Sequence, residues 1–407
     1  MPDKFEVQLD SLSAARVAVA ALFFVNGALF ANWVPRVPDV KAALGLGEGA
    51  LGLALLAGGV GGLVGSLIAG PLDTRFGSRE VSAFGGILLA ALLAAPALAW
   101  SWATLAAALL VVVGFDAVMD VSMNAHAVAV QRGYRRSIVN GFHAMWSIGA
   151  VAGSLAGSAA AARGVPVGTH LALAGLVLGS AVVVARHWLL PTVTVQAPPS
   201  AGHGMGAAIN WTERARRRGL VLPAGAVGAL GLMALLGAIV EDTPGSWSAV
   251  YLRETLGASP GFAGLGFAAF TGAMTVGRLL GDRTVERFGA ARVLRTGALM
   301  GAVGLAAALA LGTPVAGIVG FGLVGIGVST LFPLAFATAG GLADMPAGGA
   351  IGVVSLLARG GFLFAPPVIG VAAEAFGLSV ALALVVVACV AVAASAGAVT
   401  RRAERGG

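Results

Sequence analysis

Long apolar blocks alternate with short polar segments along the whole chain. The blocks fall at roughly 13–32, 49–70, 80–99, 103–129, 137–161, 168–190, 219–241, 260–281, 292–311, 314–340, 349–372 and 378–400. Each is about 20 residues or more, the length an α-helix rising 1.5 Å per residue needs to cross the hydrocarbon of a bilayer. The pattern predicts an all-α membrane protein of twelve transmembrane helices in two six-helix bundles. The bundles span 1–190 and 219–407, and a polar linker rich in Pro, Gly and Arg joins them over 191–218.

Composition sharpens this reading. Hydrophobic residues make up 58% of the chain and charged residues 11%, against about 25% charged in soluble domains. A soluble particle with so little polar surface could not cover its core. Glycine is 62 of 407 residues, roughly twice the usual share. In membranes it lets helix backbones approach closely, where lipid offers no hydrophobic drive for association. The net charge of +7 would point to nucleic acid in a soluble protein. Here the basic residues sit singly or in small groups in short loops, and no long basic face forms, which argues against a nucleic-acid partner. The single cysteine, Cys389, lies in the last block, so no disulfide or thiol metal site is expected. The polar N-terminus leads into an apolar stretch without a clear cleavage signal, which reads as an uncleaved first span.

Lys and Arg placement sets an expected orientation. With an even number of spans both termini share a side. If that side is the cytoplasm, all of the 25 Lys and Arg lie on it except Arg36, Lys41, Arg163 and Arg253, which fall outside, and Arg359, which lies within a span. Both ends are therefore expected inside, in a bacterial cytoplasmic membrane. The halves also repeat. An offset of 212 residues matches Leu44 with Leu256, Gly45 with Gly257, Gly65 with Gly277, Gly85 with Gly297 and Gly149 with Gly361, and places Arg75-Phe76-Gly77 on Arg287-Phe288-Gly289. Such a tandem repeat implies two similar bundles related by a pseudo-two-fold axis along the membrane normal.

These features resemble the major facilitator superfamily of transporters. The segment GPLDTRFGSRE (70–80) is similar to that superfamily's signature between helices 2 and 3. Gly70, Leu72, Arg75, Gly77 and Arg79 match, and Asp73 is displaced by one position from the usual acid, which is Thr74 here. SIGAVAGSLAG (147–157) is similar to the glycine ladder of the antiporter motif, with Ser154 at its usual proline. FFVNGALFANWVPRVPDVK (23–41) and DVSMNAH (120–126) resemble the first and fourth helices of the fucose–proton symporter branch and its bacterial relatives. That resemblance puts Asp120 at the branch's protonatable acid and Asn124 at its asparagine. The branch's second acid falls on Val34. The resemblance implies a monomeric, proton-coupled carrier of a small solute with no cofactor, in which Gly70, Asp73, Arg75, Gly77 and Arg79 form a gating loop.

Ionisable residues inside the membrane are costly and mark function. Asp116, Asp120 and Asn124 share one face of span 4, with Asp120 about 6 Å farther along the axis than Asp116. Two carboxylates on adjacent turns repel when both are ionised, which suits a proton-coupling pair. Neighbouring helix groups or water could equally satisfy them. Asn140, His143 and Ser147 share a face of span 5 beside Trp146. His143 lies at a depth similar to Asp120, so either a proton relay or a plain helix contact is open. Arg359 in span 11 must meet a carboxylate, cavity water or an anionic solute. Asn26, Asn32 and Trp33 in span 1, with Glu241, Asp242 and Trp247 at the end of span 7, complete the candidate solute contacts. Interface anchoring and a solvated loop are the competing readings. Pro333 and Pro366-Pro367 are expected to kink their helices.

No phosphate-binding loop, metal cluster or nucleophile–base set is present in the sequence. Uptake symport is the favoured reading. Proton-driven efflux and a non-transporting membrane receptor or assembly partner are the alternatives.

Overall fold

The computed structural model describes residues 4–134, 138–191, 224–341 and 347–403. The linker from residue 192 onward, with Arg135, Arg136, Arg214 to Arg218 and Arg405, lies outside the described residues. Among the described residues every regular element is helical. The helices are α1 (Lys4–Trp33), α2 (Val37–Ala43), α3 (Glu48–Phe76), α4 (Ser78–Leu92), α5 (Trp102–Tyr134), α6 (Val139–Ala162), α7 (Val167–Arg186), α8 (Ala224–Val250), α9 (Leu265–Phe288), α10 (Ala290–Leu311), α11 (Pro314–Val328), α12 (Leu331–Gly340), α13 (Ala347–Phe376) and α14 (Leu378–Ala403). With their short extensions they make twelve stretches long and apolar enough to cross a membrane, one for each predicted block. The chain is a multi-pass membrane protein. In lipid every backbone polar group must bond within its own segment, which helices do.

Two compact units form. The first comprises α1–α7 together with Ser259–Ala268; the second comprises α8, the rest of α9 and α10–α14. In the first, α1 packs on α6, and α5 packs on α3 and α4. In the second, α8 packs on α13, and α10 packs on α11 and α14. Leu22, Phe23, Leu29, Met119, Met123 and Leu171 fill the centre of the first unit. The repeat is visible in the backbone. Gly77 (φ 83°, ψ 146°) and Gly289 (φ 82°, ψ 145°) each close one helix and open the next in a conformation that only glycine adopts readily. Beside them Arg75 lies 5.1 Å over the Phe76 ring and Arg287 5.4 Å over Phe288.

The structure departs from the expected boundaries in three places. Span 7 does not end at Glu241-Asp242: α8 continues to Val250 and a π-helical turn follows to Thr255. The polar stretch EDTPGSWS reads as a loop, yet its hydroxyls bond back into the helix. Thr243 Oγ1 donates to the Ile239 carbonyl, Ser248 Oγ to Pro244 O, and Ser246 Oγ to Asp242 Oδ2 at 2.8 Å. Glu241 and Asp242 are thus interior helix residues, not loop residues. Span 1 is followed directly by a 3-10 turn (Val34–Arg36) and α2, where Pro35 and Pro38 sit in first-turn positions that need no N–H donor. Span 10 is broken rather than bent: α11 stops at Val328 and α12 starts at Leu331. Pro333 has no N–H to offer the Ser329 carbonyl four residues back. Pro366 and Pro367, by contrast, lie inside the uninterrupted α13.

Candidate functional site

The close approach of α1 and α6 sets up the polar centre of the first unit. A Cβ on Gly27 would fall 2.1 Å from the Trp146 carbonyl oxygen, one on Gly149 2.0 Å from Phe24 O, and one on Gly153 2.4 Å from Ala28 O. Only glycine permits such contact. The glycine ladder in α6 is therefore the surface on which α1 lies.

At this seam Trp146 Nε1 donates to Asn26 Oδ1 at 2.8 Å. Asn26 Nδ2 in turn donates to Asp116 Oδ1 at 2.8 Å and reaches Met119 Sδ at 3.7 Å. Both ends of the Asn26 amide are engaged, and the residue is buried, so its orientation is set by an indole donor on one side and a carboxylate acceptor on the other. One turn along α5, Asn124 Nδ2 donates to Asp120 Oδ1 at 3.0 Å and to the Asp120 carbonyl at 2.8 Å. Asp116 and Asp120 are half-buried. The structure thus brings together Asn26, Asp116, Asp120, Asn124 and Trp146 from three helices of one unit. His143, exposed on α6, meets the Phe23 ring edge-on at 5.2 Å, and its carbonyl accepts from Ser147 Oγ at 3.2 Å. Asn140 is exposed at the start of α6.

Asn32, Trp33 and Glu241 have structural partners. Asn32 is buried. Its amide donates to Ala28 O at 2.7 Å, and its Oδ1 lies 2.9 Å from His170 Nε2, joining α1 to α7. Trp33 packs, half-buried, against the apolar core. Trp247 is fully buried, and its indole N–H has no hydrogen-bond partner among the described residues. Glu241 on α8 lies 3.5 Å from Arg278 on α9. Arg359 is half-buried on α13 of the second unit, while the aspartates are on α5 of the first.

Around the 70–80 segment, Thr74 Oγ1 donates to Gly70 O at 2.9 Å, and Asp73 is buried against Ser122 of α5. Arg79 Nε donates to the Arg186 carbonyl at 3.2 Å, while Arg186 holds Glu80 at 2.7 Å. This fastens α4 to α7. His126, the last residue of DVSMNAH, is fully buried, with Nδ1 3.0 Å from Ser78 Oγ and Nε2 accepting from the Leu190 N–H at 3.2 Å. Accepting at Nε2 leaves the ring proton on Nδ1, directed at Ser78.

The sequence reading missed His126, His170, Met119 and Arg278. Arg278 was legible as a cation within an apolar block, although its partner Glu241 was not. The two histidines were legible in the same way, as ionisable residues within apolar blocks, but their partners Ser78 and Asn32 were not.

Helical spans, a duplicated backbone and acids set within the spans define a polytopic membrane protein. The sequence pattern of the Major Facilitator Superfamily matches residues 19–247 and 230–406, and the chain belongs to that superfamily. An uncharacterized MFS-type transporter of Yersinia pestis is 35% identical over 95% of this chain and 96% of its own length. Among solved structures, the nucleoside transporter NupG superposes with a TM-score of 0.73 at 14% identity, covering 95% of this chain and 99% of that one. A variant of the E. coli fucose:proton symporter FucP gives a TM-score of 0.59 at 16% identity over 95% and 98%. These structural likenesses establish a shared fold. The family and these proteins are transporters, not enzymes.

Proposed function

We propose that the protein is a secondary active transporter that moves a small polar solute across the bacterial cytoplasmic membrane by alternating access, coupled to protons through Asp120 with Asp116 as its neighbour. The observation that carries this reading is the Trp146–Asn26–Asp116 hydrogen-bond chain with the Asp120–Asn124 pair one turn away. Two ionised carboxylates on adjacent turns repel, and a proton on either relieves the repulsion. Asn26 donates to Asp116 and Asn124 to Asp120, so proton binding and release rearrange a defined set of bonds. Amides and an indole edge also suit the hydroxyls of a polar solute.

Uptake symport is the favoured direction. The glycine ladder packs α1 on α6, a role compatible with either direction, and the resemblance of 23–41 and 120–126 to the fucose–proton symporter branch supports uptake. The similar solved structures include a nucleoside transporter and a fucose:proton symporter, and sugars and nucleosides are the first solutes to test. Both termini are assigned to the cytoplasm from the placement of Lys and Arg.

The test is uptake of labelled sugars and nucleosides into proteoliposomes with an imposed inward proton gradient. At least one solute should accumulate in a gradient-dependent way and raise the unfolding temperature of the purified protein. A panel in which no solute moves in either direction and none stabilises the protein would reject the assignment in favour of a non-transporting membrane protein.

A further inference from the structure

A cavity of about 450 Å³ opens on the second unit, bounded by α9, α10 and the break between α11 and α12. Its size falls within the roughly 300–1,000 Å³ range of small-molecule sites. Small residues make the space: Gly277, Gly297 and Gly327 line it. Gly297 and Gly327 lie so close that a Cβ on either would meet the other's carbonyl oxygen at 2.4 and 2.3 Å.

We propose that this groove binds an anionic phospholipid, with an acyl chain in the groove and the phosphate at Arg292.

The lining is polar in composition but apolar in what it offers. Thr284 Oγ1 donates to Leu280 O and Gly281 O, Thr296 Oγ1 to Arg292 O and Val293 O, and Ser329 Oγ to Ile326 O. These are three of the four lining hydroxyls, Thr330 being the fourth, and they are turned back onto their own helices. A polar solute would recover little of its hydration from three such hydroxyls, whereas an acyl chain loses none. The rim is apolar and open: Leu280, Phe288 and Met300 are 47%, 48% and 39% exposed. On membrane-spanning helices such residues meet lipid.

Charge complementarity selects the headgroup. Arg292 stands exposed in the first turn of α10, at one end of the lining. Its hydrogen bond to Phe288 O is long, at 3.4 Å, and it enters no ion pair among the described residues. Arg283, Arg287 and Arg295 flank it in sequence and are also exposed, as are Asp282 and Glu286, so four arginines and two acids leave the stretch 282–295 net positive. A guanidinium at the end of a span suits a lipid phosphate, and net negative headgroups strengthen the attraction. The repeat-related positions of the first unit differ. At the 212-residue offset Arg292 corresponds to Glu80, which is held by Arg186 at 2.7 Å, and Thr296 corresponds to the bulky, exposed Phe84.

The test is native mass spectrometry of the intact protein released from nanodiscs containing equal phosphatidylglycerol and phosphatidylcholine, with thermal unfolding in parallel. The wild type should retain phosphatidylglycerol with a preference of about fivefold over phosphatidylcholine. Arg292→Gln should abolish the preference, and Thr296→Trp, which fills the groove, should lower retention of both lipids. Arg295→Gln should lower the preference less than Arg292→Gln, because Arg292 lines the groove and Arg295 does not. Equal retention of the two lipids by the wild type, or an unchanged preference in Arg292→Gln, overturns the proposal. So does stabilisation by inorganic phosphate equal to that by phosphatidylglycerol, which would indicate an anion site without an acyl chain.

Discussion

The two halves share a backbone scheme and differ in the chemistry mounted on it. Gly77 and Gly289 have nearly superimposable dihedral angles, and Gly149 and Gly361 each press against a carbonyl of a neighbouring helix, Phe24 O and Leu235 O. The polar centre of the first unit is not repeated. At the 212-residue offset Asn26 becomes Ala238, Asp116 becomes Val328, Asp120 becomes Phe332, Asn124 becomes Phe336 and Trp146 becomes Ala358. Phe332 stacks on Phe336 at 6.0 Å and on Phe362 at 5.9 Å. In the second unit the interior carboxylates of α8 are held separately, Glu241 by Arg278 and Asp242 by Ser246. The duplication therefore fixes where backbones touch and leaves the side chains free to specialise. In our reading the first unit carries the proton, and the second offers an aromatic face.

The largest effect is expected at the acid. Asp120→Asn should abolish accumulation driven by a proton gradient while leaving solute exchange without a gradient measurable. Phe332→Ala, at the repeat-related position, should alter the apparent KM and retain gradient-driven accumulation. Full accumulation by Asp120→Asn would remove the distinction between the units.

The shared scaffold gives the next largest effect. Gly149→Val and Gly361→Val should both destabilise the protein, by roughly 1–3 kcal/mol or more, since neither site can accept added atoms without a backbone shift. Thermal unfolding in detergent measures this, and an unperturbed Tm in either variant would show that its contact is not structural. Trp146→Phe removes the donor to Asn26 Oδ1 and should cost about 1 kcal/mol. It should appear as a several-fold rise in KM with the folded fraction unchanged, and an unaltered KM would separate Trp146 from the solute site. The smallest effect is expected for Arg186→Gln. It breaks a partly exposed pair with Glu80 worth about 0–1 kcal/mol, so transport rate and Tm should move little, and a large loss would mean that the α4–α7 fastening controls gating.

The fold was legible because lipid imposes a length and a composition on every span, and twelve blocks meet that demand. The repeat was legible at Arg75-Phe76-Gly77 because a glycine held at positive φ leaves a sequence mark. The end of α8 was misplaced because Asp, Thr, Ser and Pro in a row look solvated, although their hydroxyls bond inside the helix. At the site, Asp116, Asp120 and Asn124 could be grouped from spacing along one helix. Their junction with Asn26 and Trp146 could not, because it depends on the α1–α6 crossing that Gly27 and Gly149 allow. Asn32 and Trp247 were grouped with the site by residue type, and the burial of both and the partners of Asn32 were invisible to periodicity.

Solute-induced proton uptake, recorded with a pH-sensitive dye in proteoliposomes, separates the units most directly. The account predicts that Asp120→Asn abolishes the proton signal and that Glu241→Gln keeps it at the wild-type ratio of protons to solute. A proton signal that survives Asp120→Asn and disappears in Glu241→Gln would place coupling in the second unit and contradict the account.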